Sequence, residues 1–162
     1  MIPTVIRQAA EAWATVYSNS AALRVGVTFC HFAGLVTGGG LAVATDRSTL
    51  RLATGLEAER QAHLDELGAI HRVVVLGLTL TVASGLLMVA ADLDTMLAST
   101  VFWTKMALVS VLLGNGLLMT RAEHAARTTP VTGWPRLRRT AMLSLILWFL
   151  IVLASTILTT AA

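Results

Sequence analysis

The chain has 162 residues, of which 56% are hydrophobic and only 13% charged, with a mean hydropathy of +0.74. A water-soluble domain of this size carries about 25% charged residues, so polar surface is too scarce here for a water-exposed globule, and lipid must cover part of it. The net charge of +3 does not point to nucleic acid, because the basic residues gather at the ends of apolar runs, and the single cysteine excludes an internal disulfide or a cysteine-based zinc site.

The first twenty residues predict an amphipathic helix lying at the membrane surface. Ile2, Ile6, Ala9, Trp13 and Val16 recur at helical spacing, while Arg7, Gln8 and Glu11 fall on other faces. Pro3 suits a first helical turn, and Ser18-Asn19-Ser20 supplies a stop and then a cap for the next helix. Trp13 and Tyr17 belong at headgroup level. No basic segment precedes a compact apolar core, so a cleaved signal peptide is not expected.

Four runs then reach the ~20 residues needed to cross a hydrocarbon core. They predict transmembrane helices over 22–46, 68–91, 97–121 and 139–161 in a single domain spanning 1–162. The first apolar run, Val25 to Thr45, holds one histidine, His31, about eight residues or ~12 Å inside the helix. A titratable group at that depth is a functional candidate. Gly34 and Gly38 stand on its face at i+3 and i+7. They would either leave a flat recess for a macrocycle whose metal His31 binds, or let two helices pack closely while His31 bonds a neighbour. Cys30 reads as a buried, inert thiol, and Asp46-Arg47 as an ion pair at the helix end.

Beyond it, Leu56 to Leu67 is charged and helical in pattern and is expected to extend the second transmembrane helix. Glu59, His63 and Glu66 share a face there, fitting either a metal site or a solvated helix. His71 opens the second run, and His124 lies just past the third, at a similar depth. The two would either share one haem iron or stand as ordinary boundary residues. In the third run Lys105 follows Trp103, and reads as an interfacial anchor or, turned inward, as a group for a haem propionate or iron. Asn115, between Gly114 and Gly116, is expected to make an interhelical hydrogen bond in a close contact. Met88, Met106 and Met119 read as core fillers, with Met88 or Met106 also able to complete a His–Met site. The fourth run, Thr140 to Ala162, is uncharged, and Pro3, Pro130 and Pro135 all lie outside the apolar runs.

Nine of the twelve basic residues fall beside or between runs one and two or runs three and four. The charge bias puts both of those loops in the cytoplasm and both termini outside, which in a bacterial inner membrane is the periplasm. Phosphate-binding glycine loops, nucleophile triads, zinc-protease helices and inverted repeats with broken helices are all lacking.

From His31-Phe32-Ala33-Gly34 through Gly38-Gly39-Gly40 to Asp46-Arg47, and again at Trp103-Thr104-Lys105-Met106-Ala107-Leu108-Val109, the sequence resembles a group of small bacterial membrane proteins. The group comprises copper-resistance D-like domains and HemJ-type protoporphyrinogen IX oxidases, and the resemblance runs from about Leu23 to Met119. It implies haem b and activity roles for His31 and Lys105. His71 and the amino-terminal helix lie outside the shared pattern.

The expectation is therefore an all-α integral membrane four-helix bundle with an amino-terminal interfacial helix, binding one or two haem b groups for electron transfer. The candidate site residues are His31, Gly34, Gly38 and Lys105, with His71 and His124 as a second metal-binding pair. A quinone or a redox protein would be the partner, and the glycine seams permit a homodimer. A protoporphyrinogen-oxidase-like enzyme and a cofactor-free protein that passes or senses a small solute or metal are the alternatives.

Overall fold

The computed structural model describes residues 3–52 and 55–161. Ile2 and Ala162, the outermost residues of the expected first and last helices, lie outside the described residues. Every element is helical. Helix α1 spans Thr4–Asn19, α2 Ala21–Gly34, α3 Gly40–Leu52, α4 Glu57–Ala91, α5 Leu93–Ala98, α6 Thr100–Thr128 and α7 Pro130–Ala161. A single π-helical turn, Leu35–Gly39, joins α2 to α3. The fold is thus an all-α membrane bundle in which α2–α3, α4, α6 and α7 are long and apolar enough to cross a bilayer.

The caps follow the expected chemistry. The Ser20 side chain accepts from the Leu23 N–H at the start of α2, and Ser99 accepts from Phe102 at the start of α6. Helix α4 begins at Glu57, so the charged segment does extend it. Several boundaries differ from expectation: α3 runs on to Leu52 and α6 to Thr128, past the expected ends at 46 and 121, because a helix continues into polar sequence while its backbone bonds do. Residues 97–99 belong to α5 and the α6 cap, because Ser99 supplies a cap where the apolar run does not yet break. Helix α7 starts at Pro130, well before the apolar run, and carries Pro135 inside it. Pro130 occupies the first helical position, where its missing N–H is not needed.

The polarity of the bundle is that of a protein in lipid. Phe29, Phe32, Leu76, Leu117 and Phe149 point outward, whereas Asp46, Thr49, His63, Ser84, Asn115 and Ser144 are buried. Leu112, Leu147, Trp148 and Ile151 form one core, with Leu35 and Leu78 packed on it. Leu64, Leu67, Ala122, Ala126, Trp134 and Leu137 form a second where α4 meets the α6–α7 hairpin. That hairpin turns in very little space, because a Cβ on Gly133 would fall on the Ala125–Ala126 backbone. Helix α1 runs along α4, where Trp13 Nε1 donates to the Leu87 carbonyl (2.8 Å), and its Arg7 pairs with Asp94 of α5 (3.0 Å).

Candidate functional site

The α2–α4 pair is held together by backbone against backbone. A Cβ on Gly34 would stand 2.6 Å from both the Gly77 carbonyl oxygen and Thr81 Oγ1, and one on Gly77 would stand 2.7 Å from the Gly38 Cα. Gly34 and Gly38 therefore do not form an open recess for a macrocycle. Their face is filled by α4, because a third glycine, Gly77, completes the seam from the opposite helix. The π turn lets consecutive glycines serve two neighbours. Gly38 meets α4, while a Cβ on Gly39 would lie 2.9 Å from the Trp148 ring of α7.

One turn before that seam, His31 is fixed by α4. Its Nδ1 lies 3.0 Å from the Thr81 carbonyl oxygen and 3.2 Å from Ser84 Oγ. A carbonyl only accepts, so Nδ1 carries the proton and donates it. Ser84 spends its own hydroxyl proton on the Leu80 carbonyl (2.6 Å), so toward His31 it too accepts. Gly85 makes room for the ring, since a Cβ there would sit 3.2 Å from His31 Cε1. With Nδ1 occupied, the Nε2 lone pair is left free on a half-buried imidazole.

Lys105 lies in the first turns of α6, two residues from Trp103. It is partly buried, near enough to His31 for its charge to act on the imidazole, and in no ion pair among the described residues. Trp103 is 54% exposed and donates to the Leu97 carbonyl (3.0 Å), so the aromatic takes the interfacial position alone. No hydrogen bond or ion pair joins His31 and Lys105 among the described residues, and the link between them is electrostatic alone.

The structure does not bring the inner pair together. His71 and His124 are both exposed, and no hydrogen bond or ring contact joins them among the described residues. Nor do three histidine, cysteine, aspartate or glutamate side chains gather at any one point among the described residues. Glu59, His63 and Glu66 do not act together, because His63 is buried and donates through Nε2 to Thr49 Oγ1 (2.8 Å), whose own hydroxyl serves the Thr45 carbonyl.

Asp46 is the residue whose role sequence reasoning misjudged. It is only 2% exposed, lies near the buried Ser144 hydroxyl of α7, and its Oδ2 has no hydrogen-bond partner among the described residues. Arg47, its expected ion-pair partner, points to the outside. Consecutive residues on a helix diverge by about 100°, so the two face different ways, and the position of α7 makes Asp46 the one that is buried. Asn115 makes the expected interhelical bond, Nδ2 donating to the Thr140 carbonyl (2.9 Å), while its buried Oδ1 is unpartnered. Its flanking glycines, Gly114 and Gly116, face open space and are not part of a close contact. Cys30 is partly buried in α2.

The chain matches no protein-family model, no characterised protein and no solved structure.

Proposed function

We propose that the protein is a multi-pass membrane haem b protein serving electron transfer, with His31 as an axial ligand. The observation that carries this reading is the anchored imidazole. A ligating histidine donates its other ring N–H to a carbonyl or carboxylate, which fixes the tautomer and aims the free nitrogen, and His31 meets that requirement through Thr81. The donor set fits the group in part. His31 Nε2 suits iron and Lys105 suits a propionate, whereas the Gly34–Gly38 face adds nothing because α4 occupies it. Haem b would supply one-electron iron chemistry. The chain's own residues orient the ligand, Thr81 and Ser84 holding Nδ1 so that Nε2 is left for the iron. A quinone or a redox protein would exchange the electron, and the charge bias favours both termini outside.

The test is the visible spectrum of the protein purified in mild detergent, air-oxidised and then reduced with dithionite. The expected result is a sharp Soret band with resolved α and β bands, lost in His31→Ala. A colourless protein, even after haem is supplied during expression, would overturn the reading.

A second reading is favoured by Asp46. A buried carboxyl with one unpartnered oxygen marks a route or sensor for a small cation or solute, in a protein without a cofactor. It predicts a colourless preparation whose His31→Ala variant folds normally with no spectral change.

A further inference from the structure

A cavity of about 360 Å³ opens where α6 and α7 diverge from their tight turn. Two matching triplets line it. Leu118, Arg121 and Ala122 come from α6, and Arg136, Arg139 and Thr140 from α7, each set at i, i+3 and i+4 on one helix face. Three arginine side chains thus border one recess whose lining is mostly apolar, with no acidic side chain in it. None of the three is in an ion pair among the described residues, whereas Arg7, Arg60 and Arg127 all are. The level is that of the headgroups. Arg121 directly follows the apolar stretch of α6, and Arg139 directly precedes that of α7. On the membrane side Leu118 is 51% exposed, which offers an acyl chain a surface immediately below the charges.

We infer that this recess is a binding site for an anionic phospholipid, its phosphate held by Arg121, Arg136 and Arg139 and its acyl chain laid along Leu118. Guanidinium forks match phosphate oxygens in pairs, and an excess of positive charge over an apolar groove selects a charged headgroup with a hydrocarbon tail. A soluble anion would leave the apolar part of the lining uncovered.

Lipid titrations of the full chain in detergent, read by native mass spectrometry, test this. Cardiolipin is the anionic probe, phosphatidylcholine the neutral one, and inorganic phosphate the competitor. Cardiolipin should bind one-to-one and phosphatidylcholine should not. Arg136→Gln and Arg139→Gln should each weaken cardiolipin binding about fivefold. The Arg47→Gln/Arg51→Gln variant removes two exposed charges from outside the cavity and should bind as the parent does. Three results would overturn the proposal: equal binding of the two lipids, an equal loss in the Arg47/Arg51 variant, which would mean a diffuse field, or displacement of cardiolipin by millimolar phosphate.

Discussion

Two polar residues, the half-buried His31 and the buried Asp46, sit on the same transmembrane segment and differ in how completely the fold satisfies them. His31 has its Nδ1 proton bound and one nitrogen spare, whereas Asp46 has only the Ser144 hydroxyl nearby and a buried oxygen with no partner among the described residues. A buried polar group stripped of its last partner costs about 1–3 kcal/mol, less where alternative partners exist in lipid. Ser144→Ala should therefore lower stability in detergent by about 1–2 kcal/mol, and by close to nothing in an Asp46→Leu background, because the group left stranded is then absent. A thermal double-mutant cycle measures the difference, and equal costs in the two backgrounds would show that the Asp46–Ser144 contact is unimportant. Asp46→Asn keeps an oxygen for Ser144 and removes the buried charge, so it should be as stable as the parent or more so. For His31 the expected effect is on ligand rather than fold: Ser84→Ala keeps the Thr81 carbonyl and should retain the Soret band that His31→Ala loses. Loss of the band in Ser84→Ala would mean that the carbonyl alone does not orient the ring. His31 was legible as an intramembrane titratable group from its depth in an uncharged run. The burial of Asp46 was not, because adjacency to Arg47 suggests an ion pair and only the neighbouring helix reveals which of the two turns inward.

At the level of elements, the glycine seam decides how close α2 and α4 come. Gly34, Gly38 and Gly77 face backbone, which has no rotamer to change, so an added methyl must push the helices apart. Overpacking of this kind costs about 1–3 kcal/mol. Gly77→Ala should destabilise the protein by at least that amount, and it should also disturb His31, whose acceptor Thr81 lies one turn further along α4. Gly114→Ala and Gly116→Ala meet open space and should be neutral or gain up to about 1 kcal/mol from helix propensity. Unfolding midpoints in one detergent separate the two classes, and a harmless Gly77→Ala would remove the seam as the determinant of the contact. The sequence marked the flat face at i+3 and i+7, but a flat face accepts a ring or a helix equally. The answer lay in Gly77, thirty-nine residues further on than Gly38, and spacing along one helix carries no information about its partner. The four spans were legible because hydropathy reports the thickness of lipid. Helix ends were less so, since a helix continues into water wherever its backbone bonds do, as α4 does back to Glu57 and α7 back to Pro130.

Over the whole molecule, charge and packing agree on two unlike ends. One end carries α1, the α4–α6 connection through α5, and the pair Arg7–Asp94. The opposite end carries the charged start of α4, the α6–α7 turn, the pair Arg127–Asp65 and the three arginines of the cavity. Nine of the twelve basic residues belong to loops and helix ends on that second side. If lysine and arginine bias sets orientation, the α6–α7 turn faces the cytoplasm and α5 faces outside. The chain is well suited to a direct test, because Cys30 is its only cysteine. In a Cys30→Ser background, Thr95→Cys places one thiol on exposed α5, and Val131→Cys places one on the α6–α7 turn, where the native side chain is 89% exposed. A membrane-impermeant maleimide applied to intact cells should label the first and spare the second until the membrane is opened. The reverse pattern would invert the orientation and move His31, which lies in the half of the α2–α3 span nearer α5, to the cytoplasmic side. A water-soluble donor to a haem there would then have to come from the cell interior, so under the haem proposal the labelling result also fixes which side a protein redox partner must occupy.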